Sequence, residues 1–214
     1  MKNFSKKAVT VDGTETHINA GHFSFDTAER EERFYSLLAQ GWESEYATYR
    51  QNWLTRPVEK IVGEYPLCLD LEIASSCNLR CPMCYTTTEH FKKNVARKVM
   101  DSSLAKRLIA ECVENVPALR LSWRGESTLH PEFIDIVRYA KQLGFKEVSF
   151  LSNGVKFCDP VYVSELIKAG IDQITISIDG LGKSYDKIRA PLTTEFILDA
   201  LKLIKKTKMS LGTE

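Results

Sequence analysis

The sequence has no run of apolar residues long enough to cross a bilayer as a helix. It also lacks the apolar stretch that a secretory signal places behind its first basic residues. Neither sign of charge is in large excess: the formal net charge is +1 over 214 residues, so nothing favours DNA, RNA or an anionic membrane as a partner. These absences predict a cytoplasmic globular protein with no nucleic-acid or membrane partner.

Cysteine is scarce as well, with six in 214 residues, which is too few for a disulfide scaffold. Three of the six lie close together in the sequence, at Cys77, Cys81 and Cys84. The others are scattered, at Cys68, Cys112 and Cys158. We interpret the scattered cysteines as small buried hydrophobic residues. Clustered cysteines in a reducing compartment indicate a metal site.

The first third of the chain has a pattern of its own. Residues 1 to about 24 show no clear period and are predicted to be irregular. A helical period then runs from Asp26 to about Trp53 and continues past Gly41, before two prolines punctuate the chain. We predict that residues 1–66 form an N-terminal helical extension, either a lid or interaction surface, or a helix docked on the main domain.

Beyond the extension, residues 67–214 are predicted to alternate between strands and helices. The predicted strands are 67–73, 118–123, 146–151 and 173–178, and the predicted helices are 101–115, 131–144, 159–169 and 194–207. Residues 208–212 are predicted to begin a fifth strand. Repeated βα units indicate an α/β fold with a parallel sheet and right-handed crossovers.

These predicted strands alternate in polarity, whereas strands of a parallel sheet buried on both faces read as continuous apolar runs. In the first strand Leu69, Leu71 and Ile73 oppose Asp70 and Glu72. The second strand sets Leu119, Leu121 and Trp123 against Arg120, Ser122 and Arg124. Because unpaired charges are not stable in a dry core, we predict an open, wet or ligand-filled concave face. An antiparallel sheet with one solvated face is the alternative.

The clustered cysteines have the spacing C-x3-C-x2-C, just beyond the first strand. Ligand sites of α/β folds lie at that end of the sheet. Three thiolates can hold three irons of a four-iron cluster, and no fourth cysteine follows at ferredoxin spacing, so one iron would be open to a small molecule. A structural zinc site needs four ligands, with His90 as the candidate fourth, but this spacing is not usual for zinc. Three inert buried thiols are a further alternative, which the polar loop residues Asn78 and Arg80 disfavour.

This loop resembles the signature of the radical SAM enzymes, where SAM is S-adenosylmethionine, and the resemblance covers about residues 67–214. It implies a partial (βα)6 barrel and a [4Fe–4S] cluster whose open iron binds SAM. Reductive cleavage of SAM would then give a 5′-deoxyadenosyl radical that abstracts hydrogen from a substrate. The sequence is most similar to members with a C-terminal auxiliary-cluster extension, whose cysteines have no counterpart here. A complete barrel of the family has six strands, whereas this sequence reaches only the start of a fifth, so we expect a barrel truncated after its fourth βα unit.

The same resemblance implies roles for residues near the cysteines. Met83 stands where the family contacts adenine, and Tyr85 is the aromatic residue that follows. Gly125 and Glu126 are similar to the end of the family's Gly-Gly-Glu segment, which binds the SAM amino group. Arg124 replaces the first glycine of that segment.

Further cofactor-binding residues are implied at the ends of the third and fourth strands. Ser152 and Asn153 are similar to the family's Thr-Asn-Gly segment, although Asn-Gly is also plain turn chemistry. Ser177 and Asp179 resemble the positions that meet the ribose and carboxylate of SAM. Arg189 could pair with the SAM carboxylate, as arginines do with carboxylates, or be a surface arginine.

Three residues are candidate catalytic groups: Asp70, Glu72 and Arg120 face the expected substrate side. They could bind substrate or move protons, but Asp70 and Glu72 could equally form structural charge pairs with Arg120 or Arg124. The substrate class is a peptide, a sugar or a nucleoside. The expected partners are an electron donor such as a flavodoxin or ferredoxin, and a partner chain or oligomer that completes the exposed sheet edge.

Three alternatives to this function stay open. The chain could be a non-catalytic iron–sulfur or electron-transfer module, half of a split enzyme, or a zinc-bound structural domain.

Overall fold

In the computed structural model of the chain, the described residues are 7–11, 14–18 and 27–213, with side chains described in the last range. The chain divides into two compact units, Met1–Leu67 and Cys68–Glu214. Within the described ranges, no helix is both long enough and apolar enough to cross a bilayer.

The first unit begins with a β-hairpin. Strands β1 (Lys7–Val11) and β2 (Thr14–Ile18) pair antiparallel. The prediction that residues 1–24 are irregular is therefore wrong for both strands, and the rest of that stretch lies outside the described residues. The Asp-Gly dipeptide between the strands is a strong hairpin signal, which a search for periodicity overlooks.

Two helices follow, α1 (Ala28–Leu38) and α2 (Glu43–Glu59), where the sequence predicted one continuous pattern. The break falls at Gly41, which has a φ of +82° that side-chain-bearing residues rarely adopt. Pro57 lies inside the last turn of α2. The two helices and the turn between them share a cluster of buried aromatic side chains, Tyr35, Trp42, Tyr46 and Tyr49. The Trp42 and Tyr46 ring centroids lie 5.0 Å apart, edge to face.

The second unit is built from βα units. Its strands are β3 (Cys68–Asp70), β4 (Ala118–Arg120), β5 (Glu147–Ser152) and β6 (Gln173–Ile176). Its helices are α3 (Glu89–Asn94), α4 (Ser102–Cys112), α5 (Phe133–Leu143), α6 (Pro160–Lys168), α7 (Lys183–Ile188) and α8 (Thr194–Leu211). The strands form one parallel sheet in the order β3-β4-β5-β6. The predicted parallel α/β fold is confirmed, and the antiparallel alternative is wrong.

The boundaries of these helices follow local chemistry. The side chains of Asp101, Asp159 and Thr193 cap the N-termini of α4, α6 and α8 by accepting backbone N–H bonds. Gly144 ends α5 with a φ of +105°. These signals are local in the sequence, which is why the helix positions were predictable from it.

The apolar face of the sheet packs into a single core. Ile73, Leu119, Leu121 and Phe150 are buried together with the apolar faces of the helices. Trp123, which the alternation placed on the apolar face, is 66% exposed. β4 ends at Arg120, so Trp123 no longer follows the strand's alternation.

The predicted fifth strand at 208–212 is wrong, because α8 continues to Leu211 and ends at Gly212, which has a φ of +66°. Leu203, Ile204, Thr207 and Leu211 are half-buried at helical spacing. The apolar stripe of α8 therefore runs to the end of the helix.

Candidate functional site

The carboxyl ends of the four parallel strands meet at one edge of the sheet. After β3 the chain enters the cysteine loop, and Ser76 O of that loop accepts the Glu126 N–H from the segment after β4 at 2.7 Å. After β5, Ser152 O accepts the Ser177 N–H from the segment after β6 at 2.9 Å. Residues that are far apart in the sequence are thereby joined into one site, as the parallel topology predicts.

The cysteine loop presents three free thiols. Cys81 is buried, and Cys77 and Cys84 are half-buried. Among the scattered cysteines, Cys68 and Cys112 are half-buried and Cys158 is exposed, so the interpretation as buried residues is wrong for Cys158. The Leu79 N–H donates to Cys77 Sγ at 3.4 Å, and Cys84 Sγ lies 3.0 Å from Thr86 Oγ1. Burial raises the pKa of the Cys77 thiol above its ordinary value. Binding a metal at this thiol would therefore release a proton.

The donor set suits a cluster better than a single ion. In the part of the chain with described side chains, no three His, Cys, Asp or Glu groups are arranged to hold one metal ion. A four-iron cluster takes one thiolate per iron, so its ligands need not converge on a single point. N–H donors also face two of the sulfurs: Arg189 Nη1 lies 3.5 Å from Cys81 Sγ, and Asn153 Nδ2 lies 3.9 Å from Cys77 Sγ.

Glu126 is the buried carboxylate of the site, only 2% exposed. Its Oε1 accepts from Thr128 Oγ1 at 2.6 Å and from Ser152 Oγ at 2.9 Å. Its Oε2 accepts from the Asn153 backbone N–H at 2.7 Å. The carboxylate thus holds the segments after β4 and β5 together. Thr128, which the sequence did not single out, is part of this arrangement.

Gly125 lies against the backbone that leads into the cysteine loop. It has a φ of +68°, and a Cβ at this position would lie 2.5 Å from Ala74 O and 2.6 Å from Ser76 O. No side chain can be accommodated at that distance from backbone atoms. A glycine is therefore required for the segment after β4 to pack against the start of the cysteine loop.

Asn153 connects the end of β5 to the cysteine loop. Its Nδ2 donates to Asn78 Oδ1 at 2.8 Å, and its Oδ1 accepts from the Val155 N–H at 3.1 Å. The side chain therefore makes the local turn that the Asn-Gly dipeptide predicts and also bonds to the cysteine loop. The turn interpretation is thus confirmed for this segment, and its contact with SAM stays a prediction.

The remaining predicted cofactor residues differ in their exposure. Met83 and Tyr85 are 56% and 55% exposed. Asp179 and Arg189 form an ion pair in which the arginine side chain is 14% exposed. Arg189 is therefore not a free surface arginine.

The three candidate catalytic residues lie in ion pairs. Arg120 Nε donates to Asp70 Oδ1 at 2.7 Å. Glu72 accepts from Arg124, at 3.1 Å from its backbone N–H and at 2.8 Å from Nη2. The structure thus shows the charge pairs that the sequence left open as one of two roles for these groups.

Arg124, the departure from the family's Gly-Gly-Glu segment, has a further contact. Its Cζ lies 5.6 Å from the centroid of the Phe91 ring in α3, a cation–π geometry. The Phe91 ring in turn meets the Tyr85 ring edge to face, with centroids 5.4 Å apart. Arg124 therefore links the segments after β3 and β4 to α3, the helix that follows the cysteine loop. Phe91 carried no signal in the sequence for this role.

Comparison with known proteins identifies the family to which the chain belongs. The sequence model of the Radical SAM superfamily matches residues 71–213. The chain belongs to the Radical SAM superfamily, a family of enzymes. Its cofactors are accordingly a [4Fe–4S] cluster and SAM.

Individual relatives are more distant. The chain is 32% identical over 157 residues to the tungsten-containing aldehyde ferredoxin oxidoreductase cofactor-modifying protein of Pyrococcus furiosus, covering 68% of this chain and 42% of the relative. It is 30% identical over 120 residues to a probable GTP 3',8-cyclase of Methanopyrus kandleri, covering 55% of this chain and 36% of the relative. The chain thus spans less than half the length of these relatives.

Solved structures show the same fold. Native anSMEcpe with bound AdoMet aligns with a TM-score of 0.55 at 22% identity, covering 67% of this chain and 42% of the other. Streptococcus suis SuiB bound to precursor peptide SuiA aligns with a TM-score of 0.57 at 14% identity, covering 76% of this chain and 36% of the other. At these identities the likeness concerns the fold alone.

Proposed function

We propose that this chain uses its cluster to cleave SAM reductively and to start radical chemistry on a bound substrate. The observation that carries the proposal is the position of the cysteine loop beside Gly125 and Glu126 at the carboxyl edge of the parallel sheet, where the Glu126 N–H donates to Ser76 O at 2.7 Å. When bound, the cluster would supply the electron for reductive cleavage, and SAM would supply the 5′-deoxyadenosyl group for hydrogen abstraction. Family membership supports the chemistry, and the positions of these residues support their roles.

Different residues of the chain would bind the cluster and SAM. Cys77, Cys81 and Cys84 would hold three irons. Glu126 would orient the SAM amino group from its place among the Thr128 and Ser152 hydroxyls. The proposed remaining SAM contacts are Met83, Tyr85, Gly125, Ser152, Asn153, Ser177, Asp179 and Arg189. A buried carboxylate whose position is fixed by several donors is suited to binding an ammonium group.

The substrate would approach the polar face of the sheet. Asp70, Glu72 and Arg120 are proposed to bind substrate there, and their ion pairs favour binding over proton transfer, because both carboxylates already accept bonds from arginine. One relative is named as a GTP cyclase and one structural neighbour holds a precursor peptide, so nucleotides and peptides are the first substrates to try, with sugars next.

We also propose a location and partners for the protein. We place the protein in the cytoplasm, where a flavodoxin or ferredoxin would deliver the electron. β6 is an edge strand among the described residues, and an edge strand offers unpaired backbone groups to a partner chain or a second copy.

The test is anaerobic reconstitution with iron and sulfide, followed by electron paramagnetic resonance of the reduced protein with and without SAM. We expect a [4Fe–4S] signal that changes when SAM is added, and formation of 5′-deoxyadenosine. Cys81→Ser should lose the signal, while Cys158→Ser, an exposed cysteine outside the loop, should keep it.

Each contrary result has a distinct meaning. A cluster signal indifferent to SAM would assign the chain to the non-catalytic electron-transfer class. Bound zinc without a cluster would overturn the proposal altogether.

A further inference from the structure

Helix α7 and the residue that ends it bring a polar side chain to Cys81 that the cysteine loop itself does not supply. Arg189 lies at the C-terminal cap of α7, and its Nη1 donates to Cys81 Sγ at 3.5 Å. Its Nε donates to the Asp179 carboxylate. The guanidinium is thus anchored on one side by an ion pair and directs an N–H group at a cysteine sulfur on the other.

A second polar group of α7 lies in the same region. Tyr185 is fully buried, and its hydroxyl has no hydrogen-bond partner among the residues whose side chains are described. Its backbone carbonyl accepts the Arg189 N–H at 2.7 Å, so the two residues are joined by the last turn of α7. A buried hydroxyl without an acceptor costs free energy. A bound cluster would bring sulfur acceptors into this region.

These contacts would affect the reduction potential of a bound cluster. Reduction adds one negative charge to a cluster, and hydrogen bonds to its sulfurs, together with nearby positive charge, stabilise the reduced form. We propose that Arg189, anchored by Asp179, is a positioning residue that donates a hydrogen bond to the Cys81 sulfur and raises the reduction potential of the bound cluster. The inference rests on the proposed function only in requiring a cluster at the three cysteines. It does not require SAM to be bound.

The test is the midpoint potential of the reconstituted full chain, measured without SAM by titration with redox dyes and electron paramagnetic resonance. Arg189→Gln removes both the charge and the N–H fork, and we expect its potential to shift to a more negative value. Arg189→Lys keeps the charge but loses the planar fork, and should shift by less. Lys187→Gln, an exposed position two residues earlier in α7, removes a charge without touching a sulfur and is the matched control.

The proposal is overturned if Arg189→Gln shifts the potential no more than Lys187→Gln does. Should the Gln variant not hold a cluster, Arg189→Lys decides by the same measurement, because it keeps the charge and loses the planar N–H fork: a potential no more negative than that of Lys187→Gln would overturn the proposal. These outcomes are separate from failure of the proposed function, which would appear as a wild-type cluster that does not respond to SAM.

Discussion

At the scale of single residues, Glu126 shows how one side chain can serve both the fold and the site. Its two oxygens accept bonds from Thr128, Ser152 and Asn153, so the carboxylate contributes to stability before any ligand binds. Glu126→Gln would turn an amide N–H₂ group toward one of these donors. A buried polar group left without its partner costs about 1–3 kcal/mol.

We therefore expect Glu126→Gln to lower the free energy of unfolding of the metal-free chain by about 2 kcal/mol. The measurement is chemical denaturation followed by circular dichroism. Glu114→Gln, exposed in the turn after α4, serves as the control and should change stability by less than about 0.5 kcal/mol. Equal stability of the two variants would show that Glu126 acts on ligands only.

Gly125 can be compared with Gly212, because the φ angles of the two are nearly equal, +68° and +66°. At Gly212, however, nothing lies within 4 Å of an added Cβ. Alanine at Gly212 should cost only the backbone strain, about 1–2 kcal/mol. Alanine at Gly125 adds a contact with Ala74 O and should cost clearly more and prevent cluster assembly. Thermal melting and iron content measure the two effects. Similar losses at both glycines would contradict the proposed close packing.

At the scale of elements, the sequence predicted best where signals are local. Caps such as Asp101 and Asp159 mark helix starts, and the apolar alternation identified the strands of the sheet. The strand prediction failed at 208–212, because Met209 and Leu211 fit the apolar pattern of a strand and of a helix equally well. Only the packing of α8 distinguishes the two. The contact between Arg124 and Phe91 joins positions 33 residues apart, and no local pattern reports it.

That contact allows a test of whether α3 is stabilised by a residue distant in the sequence. A helix of six residues is not stable by itself in water, so α3 depends on packing. Arg124→Ala removes both the Glu72 ion pair and the cation–π contact with Phe91. We expect faster amide hydrogen exchange across residues 89–94, measured by mass spectrometry. Lys93→Ala, exposed in the last turn of α3, should leave exchange unchanged, and equal exchange in both variants would count against the link.

The cap of α4 predicts a dependence on pH. The Ser103 hydroxyl and the backbone N–H groups of Leu104 and Ser103 donate to Asp101 and lower its pKa below the ordinary value. Since the folded pKa is depressed, the stabilisation is present above the unfolded pKa and is lost as pH falls through the folded one. Asp101→Asn keeps a capping acceptor but does not titrate. Its melting temperature should fall less than that of the wild type between pH 5 and pH 3, and parallel curves would contradict the assignment.

At the scale of the whole molecule, the site joins all four strand ends, so a ligand that bridges them must stabilise the second unit as a whole. SAM that binds only when the cluster is present should stabilise the reconstituted chain by about 2.7 kcal/mol at a hundredfold excess over its Kd. The metal-free chain should show no shift under the same conditions, since its open iron is missing. Anaerobic thermal melting of both forms, with and without SAM, makes the comparison. A shift of equal size in the metal-free chain would mean that the strand ends bind SAM without the cluster, and the coupling between cluster and SAM would then be refuted.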